Sequence, residues 1–257
     1  MSEKQMWVWV HKQADAWIAK LEKRLIFWIR QQVKGAGARG VVLGLSGGVD
    51  SATVAVLSQK AVGKNLLALI LPCHSSRQDI LDARLVAKKF KLKTRLIDLS
   101  KIYDSLVKIL PSAGKMVYAN LKPRLRMLVL YYFANKLNYL VAGTGNKSEI
   151  MVGYFTKHGD GATDILPIGN LFKIEVRMLA RRLGIPEKII HKKPTAGLWP
   201  GQTDEGEMGI TYGELDFILR DLESKRKQVL SLSKVNKVKQ MIVKSQHKRQ
   251  LPAVFKY

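Results

Sequence analysis

The stretch Val41-Val-Leu-Gly-Leu-Ser-Gly-Gly-Val-Asp-Ser51 predicts the fold of the whole chain. Its first half, Val41–Leu45, is apolar without alternation, as in strands that are buried on both faces of a parallel sheet. Glycines and hydroxyl groups follow, and a helical pattern begins directly behind them. Backbone N–H groups at such a helix N-terminus bind anions, and phosphate above all. The stretch therefore predicts a strand, a phosphate-binding turn and a helix.

The same alternation of helix and strand continues along the chain. Predicted helices at about 52–61, 79–90, 101–110 and 121–136 alternate with strand patterns at Leu66–Leu71, Thr94–Leu99 and Tyr139–Gly143. Strands that alternate with helices indicate a parallel sheet with right-handed crossovers. We expect an α/β fold with a doubly wound, mostly parallel sheet and helices on both faces, of the Rossmann-like kind. Three polar segments that follow strands, Ser46–Ser51, Cys73–Asp79 and Thr144–Glu149, should converge on one crevice.

An amphipathic helix is predicted before this sheet, from about Lys4 to Val33. Its apolar residues recur at steps of four, four and three, at Trp17, Leu21, Leu25 and Trp28. Internal repeats and low-complexity linkers are absent from the sequence. We expect a single domain, residues 1–257, made of an N-terminal helix (1–34), a core (35–200) and C-terminal helices with a basic tail (201–257).

Composition narrows the class of protein. The chain has 257 residues, of which 47% are hydrophobic, and this is typical of an ordered globular protein. Its one cysteine, Cys73, excludes a disulfide framework and an all-cysteine metal site. The longest apolar stretch, Leu66–Leu71, is far shorter than the about 20 residues that a membrane span needs. We therefore expect a cytoplasmic protein without membrane contact.

The formal net charge of +24 favours polyanionic partners such as nucleic acid or phosphorylated small molecules. A solvated basic surface without a dedicated partner explains the same charge. Composition leaves both interpretations open.

Asp50 is unexpected in a phosphate-binding turn. The lysine with which a Walker loop contacts the outer phosphates is absent, and a carboxylate stands close to its place. Two like charges at about 4 Å repel by about 4 kcal/mol at an effective dielectric constant of about 20. A Mg²⁺ ion between carboxylate and phosphate turns this repulsion into attraction. The alternative is that Asp50 only starts the helix, where aspartate is favoured in any case.

The segment Ser46-Gly-Gly-Val-Asp-Ser51 resembles the PP-loop of the ATP pyrophosphatases, which split ATP between its α and β phosphates. The resemblance implies the adenine nucleotide alpha-hydrolase-like variant of the expected fold. It also implies that the loop binds the pyrophosphate that leaves, so that a lysine on the γ-phosphate is not needed.

Four further stretches are similar to the ammonia-dependent branch of the NAD synthetase family, in order and spacing, from about residue 20 to the C-terminus. They are Asn120-Leu-Lys-Pro-Arg-Leu-Arg-Met127, Gly143-Thr-Gly-Asn-Lys-Ser-Glu149, Tyr154-Phe-Thr-Lys-His-Gly-Asp-Gly-Ala-Thr-Asp164 and Lys193-Pro-Thr-Ala-Gly-Leu-Trp-Pro-Gly-Gln-Thr-Asp-Glu205. The resemblance implies a carbon–nitrogen ligase that amidates deamido-NAD with ammonia and ATP. An acyl-adenylate is the implied intermediate, and NAD, AMP and pyrophosphate are the products.

The resemblance also implies a role for particular residues. ATP would be bound by Gly44, Leu45, Ser46, Gly47, Gly48, Val49, Asp50, Ser51, Thr144, Lys173 and Thr195. Charge on the reacting phosphates would be stabilised by Ser46, Asp50, Ser51 and Lys173, with no protein nucleophile. Mg²⁺ would be held by Asp50 and Glu149. Deamido-NAD would be bound by Arg124, Lys157, Asp164, His247 and Lys248, at or near the interface of a homodimer.

Each of these roles has an alternative that the residues alone leave open. Glu149 suits the first turn of a helix, and Arg124 suits the solvated face of one, while Arg126 could take the place of Arg124. The loop with Lys157 and Asp164 suits a plain connection. The segment with His247 and Lys248 suits a solvated run of charge.

Two other functions are alternatives for this sequence. A PP-loop enzyme that adenylates a tRNA base would benefit from the net charge of +24. A basic nucleic-acid-binding protein without catalysis would leave Asp50 and Glu149 unexplained. We expect small-molecule substrates and no dedicated nucleic acid. Only about forty residues precede the PP-loop, so we expect free ammonia or a separate amidotransferase to supply the nitrogen.

Overall fold

The computed structural model describes residues 3–199, 201–224 and 231–255, with side chains from residue 15 onward, so the predicted boundary at residue 200 lies outside the described residues. In chain order the elements are α1 Glu3–Gly35, β1 Gly40–Gly44, α2 Val49–Val62, β2 Leu66–Ile70, α3 Arg77–Lys89, β3 Thr94–Leu96, α4 Ser100–Ile109, α5 Lys115–Ala119, α6 Leu121–Leu137, β4 Tyr139–Val141, α7 Lys147–Val152, α8 Lys173–Arg182, α9 Glu187–Ile190, α10 Asp204–Met208, α11 Tyr212–Ser224 and α12 Leu232–Lys244. Short 3-10 turns occupy Gly63–Asn65 and Gln246–Lys248.

The four strands form one parallel sheet in the order β3-β2-β1-β4. In the centre, Val42 of β1 lies beside Leu67 of β2 on one side and beside Val141 of β4 on the other. All described residues of β2 are buried, as the continuous apolar pattern predicts. The expected parallel α/β fold is thus confirmed.

Helices cover both faces of this sheet. On one face, α2 and α3 pack on β1 and β2, and α1 and α8 pack on α2 in turn. On the other face, α6 covers β1 and β4, with α4 at its side. A second, smaller core joins α7 to α11 and α12. Within the described part of the chain, no helix is long and apolar enough to cross a membrane.

The first helix is amphipathic, but its buried face differs from the predicted one. Trp17 and Trp28 are 44% and 37% exposed, whereas Ile18, Ile29 and Val33 are buried against the core. The contact face is rotated because α1 crosses both α2 and α8. It includes a buried carboxylate, Glu22, that pairs with Lys60 and Arg182 from those two helices. A pattern of apolar residues does not predict a buried charge at this position.

Strand β3 ends three residues earlier than predicted, at Leu96. It is one of the two edge strands of the sheet, and all three of its residues are exposed. Asp98 then accepts hydrogen bonds from the backbone N–H (2.9 Å) and hydroxyl (2.6 Å) of Ser100, where α4 begins. The Asp98 carboxylate thus forms an Asx turn between the end of the strand and the start of α4.

The strand order reverses beside β1, and this places the site. From β1 the chain moves to β2 and β3 on one side, and β4 returns on the other side. The turns after β1 and β4 therefore open next to each other at the carboxyl ends of the strands, where ligands bind in such sheets.

Candidate active site

A cavity of about 410 Å³ opens at the carboxyl ends of β1 and β4. Three segments contribute to its wall beside the switch point: the loop 44–51, the loop 141–149 and the segment 192–198. The first two were predicted to converge there. The third comes from beyond α9 and closes the opposite side.

The loop after β1 has the shape that its glycines allow. Gly47 has a φ of +83°, and a Cβ there would lie 2.5 Å from the Asp79 carbonyl oxygen of α3. The Ser51 hydroxyl donates to the Gly48 carbonyl (3.1 Å) and accepts from the Ser46 N–H (3.2 Å). Only glycine fits between this loop and α3 in that backbone conformation.

Asp50 does not cap its helix. Helix α2 begins at Val49, three residues earlier than predicted, and its N-cap is Gly48, which makes no side-chain capping bond. The Asp50 carboxylate instead accepts from Asn146 Nδ2 at 3.0 Å and from Lys173 Nζ at 2.5 Å. Its charge therefore faces the cavity and the turn after β4.

Glu149 combines the two interpretations of its sequence position. Its Oε2 accepts from the Asn146 N–H at 3.2 Å and completes a capping box at the start of α7. Its Oε1 accepts from Lys173 Nζ at 3.2 Å and from the Tyr212 hydroxyl at 3.0 Å. One carboxylate thus starts a helix and faces Asp50 across a shared cation.

Lys173 is the first residue of α8, and its side chain is only 2% exposed. Burial alone would lower the pKa of its ammonium group, but the charges of Asp50 and Glu149 overcome this and raise the pKa. Burial in turn raises the pKa of Glu149, against the attraction of Lys173. The three groups form a buried charge cluster with one cation and two carboxylates.

The two carboxylates suit a magnesium ion. Both approach one point, now held by the Lys173 ammonium group, and carboxylate oxygens are ligands that Mg²⁺ prefers. Among the described residues no group of three or more acidic, histidine or cysteine side chains could enclose a metal by itself. Mg²⁺ usually completes its shell with water and substrate phosphates, so two carboxylates beside a phosphate loop fit it.

Most of the residues that were predicted to bind ATP lie in the wall of the cavity. Thr144 and Thr195 line the cavity, and the Thr195 hydroxyl accepts from the Gly197 N–H at 3.0 Å. Also in its wall are Gly44, Leu45, Ser46, Gly48, Val49, Asp50, Ser51 and Lys173. Gly47 is the exception, because it packs on α3 instead.

Four of the five residues predicted for deamido-NAD lie together. Arg124 Nη2 donates to the Lys157 carbonyl at 3.4 Å, and Lys157 Nζ donates to the His247 carbonyl at 2.6 Å. Lys248 Nζ donates to the carbonyls of Gly153 and Phe155, at 2.8 Å each. Of these four, only Lys248 is among the residues of the cavity wall.

Asp164 lies apart from the other four. Its two carboxylate oxygens accept from the Tyr131 hydroxyl at 3.1 Å and from the Val141 N–H at 2.7 Å. Both contacts tie the loop after α7 to β4 and α6, and Asp164 is outside the cavity wall.

Arg126 and Arg124 differ in position. Arg126 lines the cavity, where its Nε donates to the Leu71 carbonyl at 3.0 Å and its Nη2 to the Ser75 hydroxyl at 3.4 Å. Arg124 is exposed. The arginine inside the cavity therefore holds the turn after β2.

Sequence reasoning missed three residues that contact the charge cluster. Asn146, which lies inside one of the quoted stretches, joins Asp50 to Glu149. Asp204, at the end of another stretch, lies 3.1 Å from the Tyr154 hydroxyl and 3.0 Å from the Tyr212 hydroxyl, whose single proton Asp204 shares with Glu149. Tyr212 lies beyond every quoted stretch, and nothing in the sequence distinguishes it from an ordinary core tyrosine.

Comparison with known proteins agrees with this geometry. A sequence model of the family described as NAD synthase matches residues 21–252. An NH(3)-dependent NAD(+) synthetase of Carboxydothermus hydrogenoformans is 51% identical, over 93% of this chain and 97% of its own. The solved structure of NMN synthetase from Francisella tularensis has a TM-score of 0.87 and 36% identity, and the match covers 93% of this chain and 99% of that chain. NH3-dependent NAD synthetase from Campylobacter jejuni, in complex with the nitrate ion, has a TM-score of 0.82 and 31% identity, with the same coverage.

Proposed function

Since the chain belongs to the NAD synthase family, we propose that its cavity carries out the ATP-dependent amidation of deamido-NAD by ammonia, which gives NAD, AMP and pyrophosphate. One observation supports this assignment most directly. Asp50, Glu149 and Lys173 meet beside a phosphate loop, at the point where the strand order reverses. A reaction that splits ATP next to its α-phosphorus needs a cation and hydrogen-bond donors at that place.

The first step joins the two substrates. An oxygen of the nicotinate carboxylate bonds to the α-phosphorus of ATP, the bond from that phosphorus to the bridging oxygen breaks, and pyrophosphate leaves with the electron pair. Ser46, Ser51 and the N-terminus of α2 donate hydrogen bonds to the leaving group, and Lys173 contributes a positive charge. These donors are fixed in place before the reaction, so that charge is stabilised as it develops.

Mg²⁺ is the cofactor that we assign to Asp50 and Glu149. When bound, it neutralises charge on the phosphate oxygens and orients them. Lys173, which now bonds to both carboxylates, would release them to the ion and direct its own charge at the phosphates.

The second step uses ammonia. Its nitrogen bonds to the acyl carbon, AMP leaves with the oxygen that joined it to that carbon, and the nitrogen loses a proton. Water competes for the same carbon, so the segment 192–198 has to stay closed over the cavity. Lys122 supports this closure, because its buried Nζ donates to the Leu198 carbonyl at 2.8 Å.

For deamido-NAD we keep the cluster of Arg124, Lys157, His247 and Lys248 as its binding site. Two lysines and an arginine beside one cavity suit the pyrophosphate of a dinucleotide. Asp164 acts on the acceptor only if the substrate reaches the outer side of β4, since its carboxylate is bonded to Tyr131 and Val141.

We assign the homodimer to the outer face of α4 and α6. Helix α4 has a strongly apolar side, yet none of its residues is buried. Beside it, Leu128 and Tyr132 of α6 lie one turn apart and are exposed. Apolar patches of this kind mark interfaces between proteins. The cytoplasm is the compartment that we assign, because it supplies ATP for biosynthesis.

One observation favours a second acceptor. The structural relative with a TM-score of 0.87 is described as an NMN synthetase. Its product is a mononucleotide, so nicotinate mononucleotide is the alternative substrate for the same chemistry.

The test is to incubate the purified chain with ATP, Mg²⁺ and an ammonium salt, and to add deamido-NAD or nicotinate mononucleotide in parallel. The nucleotides are then separated by chromatography. We expect NAD and AMP in equal amounts from the first mixture, and a lower kcat/KM for the mononucleotide. A higher kcat/KM for nicotinate mononucleotide would make it the acceptor in place of deamido-NAD. Absence of AMP from both mixtures would overturn the proposed function.

A further inference from the structure

Helix α11 lies behind the charge cluster and contacts it through two residues one turn apart. Tyr212, the first residue of the helix, is 1% exposed, and its hydroxyl lies 3.0 Å from Glu149 Oε1 and 3.0 Å from Asp204 Oδ2. Its ring lies under the Lys173 ammonium group, with 4.7 Å between Nζ and the ring centroid. Asp216, four residues on, is buried as well.

The phenol constrains the carboxylate that faces Asp50. Glu149 Oε2 is held by the backbone of Asn146, and Oε1 is held by Lys173 and Tyr212. Lys173 also bonds to Asp50, so it has to share its charge with whatever cation and phosphates enter the site. The Tyr212 hydroxyl is neutral and sits behind the carboxylate, so it can keep its bond when a cation enters.

We propose that Tyr212 is a positioning residue that orients Glu149 for Mg²⁺, through the hydrogen bond from its hydroxyl to Glu149 Oε1. This inference rests on the proposed function, because it takes Glu149 as a ligand of the ion. Groups that hydrogen-bond to metal-binding carboxylates commonly change metal affinity by roughly 10- to 100-fold when they are removed.

Asp216 extends the same support to Lys173. Its Oδ1 accepts from the Ser148 hydroxyl, and its Oδ2 accepts from the Ile174 N–H at 3.0 Å. The Ser148 hydroxyl in turn accepts from the Lys173 N–H at 3.0 Å. Helix α11 therefore fixes the start of α8 as well as the side chain of Glu149.

The experiment compares Tyr212→Phe with the wild-type chain. Each is saturated with α,β-methylene ATP, which cannot be split between its α and β phosphates, and the dissociation constant for Mn²⁺ is measured by electron paramagnetic resonance. We expect Tyr212→Phe to weaken Mn²⁺ binding by roughly 10-fold or more. The Mg²⁺ concentration for half-maximal NAD synthesis should rise in parallel, with little change in KM for deamido-NAD.

Tyr118→Phe is the matched control. The Tyr118 hydroxyl also has two partners, because it donates to the Pro111 carbonyl at 3.2 Å and accepts from the Ala113 N–H at 3.0 Å. Neither partner belongs to the charge cluster. We expect this variant to keep wild-type affinity for Mn²⁺, even where its melting temperature falls as far as that of Tyr212→Phe.

A double-mutant cycle identifies the route of the effect. In a Glu149→Gln background, Tyr212→Phe should cause no further loss of Mn²⁺ affinity, because the residue through which it acts is already changed. Equal Mn²⁺ affinities for Tyr212→Phe and wild type would overturn the inference while NAD synthesis by the wild type still supports the proposed function.

A second variant covers the case in which Tyr212→Phe does not fold. Glu205→Ala removes the carboxylate that accepts from the Tyr212 N–H at 2.8 Å, and so loosens the start of α11, which places the phenol against Glu149. We expect a smaller loss of Mn²⁺ affinity, and an unchanged affinity would again contradict the inference.

Discussion

At the scale of single residues, the position of Asp50 explains why the phosphate loop carries a negative charge. The carboxylate leaves the capping of α2 to the backbone and bonds to Asn146 and Lys173. Glu149 reaches the same lysine from the turn after β4. Lys173 is thus a counter-charge for Asp50 and Glu149 before any ligand binds. An incoming cation would take the place of Lys173 at the carboxylates, and the phosphates would bind the ammonium group.

Asp50→Asn should lower kcat for NAD synthesis by roughly 10³-fold, the size of effect that loss of a fixed electrostatic contact produces. The amide keeps the shape of the carboxylate but cannot neutralise a divalent ion. The measurement is the rate of AMP formation in a single turnover, with circular dichroism to establish that the variant is folded. A rate within a few-fold of wild type would show that Asp50 is not a metal ligand.

Ser58→Ala is the control for this prediction, since it lies two turns further along the same helix. The Ser58 hydroxyl is buried and has no hydrogen-bond partner among the described residues. Its removal should leave AMP formation unchanged and the melting temperature equal or higher.

Prediction of single residues from the sequence succeeded where a motif fixes them locally. The loop 44–51 and Glu149 reach the cavity because short turns leave them little freedom. Tyr212 and Asp204 were missed because their contacts cross from a separate core, and no local pattern marks them. For Asp164 the sequence indicated a role but not its partners, Tyr131 and Val141.

At the scale of elements, helix α3 supports the phosphate loop from outside the cavity. Gly47 packs on its first turn. Asp82 of this helix pairs with Lys188 in α9, and Asp79 pairs with Lys192, which follows α9. Lys192 Nζ lies 2.7 Å from each of these carboxylates. These ion pairs hold the segment 192–198 of the cavity wall against α3, the helix on which the phosphate loop packs.

The pairing at Asp82 makes stability depend on pH. Burial alone would raise the pKa of Asp82, but hydrogen bonds from Lys192 and Lys188 outweigh it and lower the pKa below its ordinary value of 3.8. The contribution to stability is therefore complete above about pH 4 and is lost as the pH falls through the lowered pKa. Asp82→Asn should cost about 2 kcal/mol of unfolding free energy at about pH 7.

Urea denaturation at several pH values measures this difference. The gap between Asp82→Asn and wild type should stay constant from about pH 7 to about pH 5 and should narrow below about pH 4. A gap that widens on acidification would mean that the sign of the pKa shift is wrong.

The elements themselves were the most predictable level of this structure. Central strands such as β2 have continuous apolar patterns, and their bounds differ from the prediction by one residue or less. The edge strand β3 and the buried face of α1 were predicted less well. Both depend on contacts with other elements, which periodicity within one segment does not contain.

At the scale of the whole molecule, the two faces of the sheet differ in how they are covered. One face has two layers of helices, α2 and α3 beneath α1 and α8, whereas α4 and α6 form a single layer on the other. A second copy of the chain would supply the missing layer. The apolar faces of the first helix and of residues 121–136 are each compatible with a subunit interface or with packing inside the chain, and the single layer favours an interface on α6.

Leu128→Arg should therefore convert the proposed homodimer into a monomer. Leu128 is 63% exposed on α6, and an arginine at the centre of an apolar interface would lose its hydration. Light scattering should give a mass of about 28.9 kDa for the variant and twice that mass for wild type. Phe27→Arg is the control, because Phe27 is 60% exposed but lies on α1. If Phe27→Arg dissociates the dimer instead, the interface lies on the opposite face.

The bonds from Lys248 and Arg249 have a consequence for the order in which the protein is made. Lys248 donates to the carbonyls of Gly153 and Phe155, and Arg249 donates to that of Met151 at 2.8 Å. A ribosome has finished all four strands and the phosphate loop long before it adds these two residues. A growing chain can thus form its sheet before the carbonyls of Met151, Gly153 and Phe155 gain these bonds.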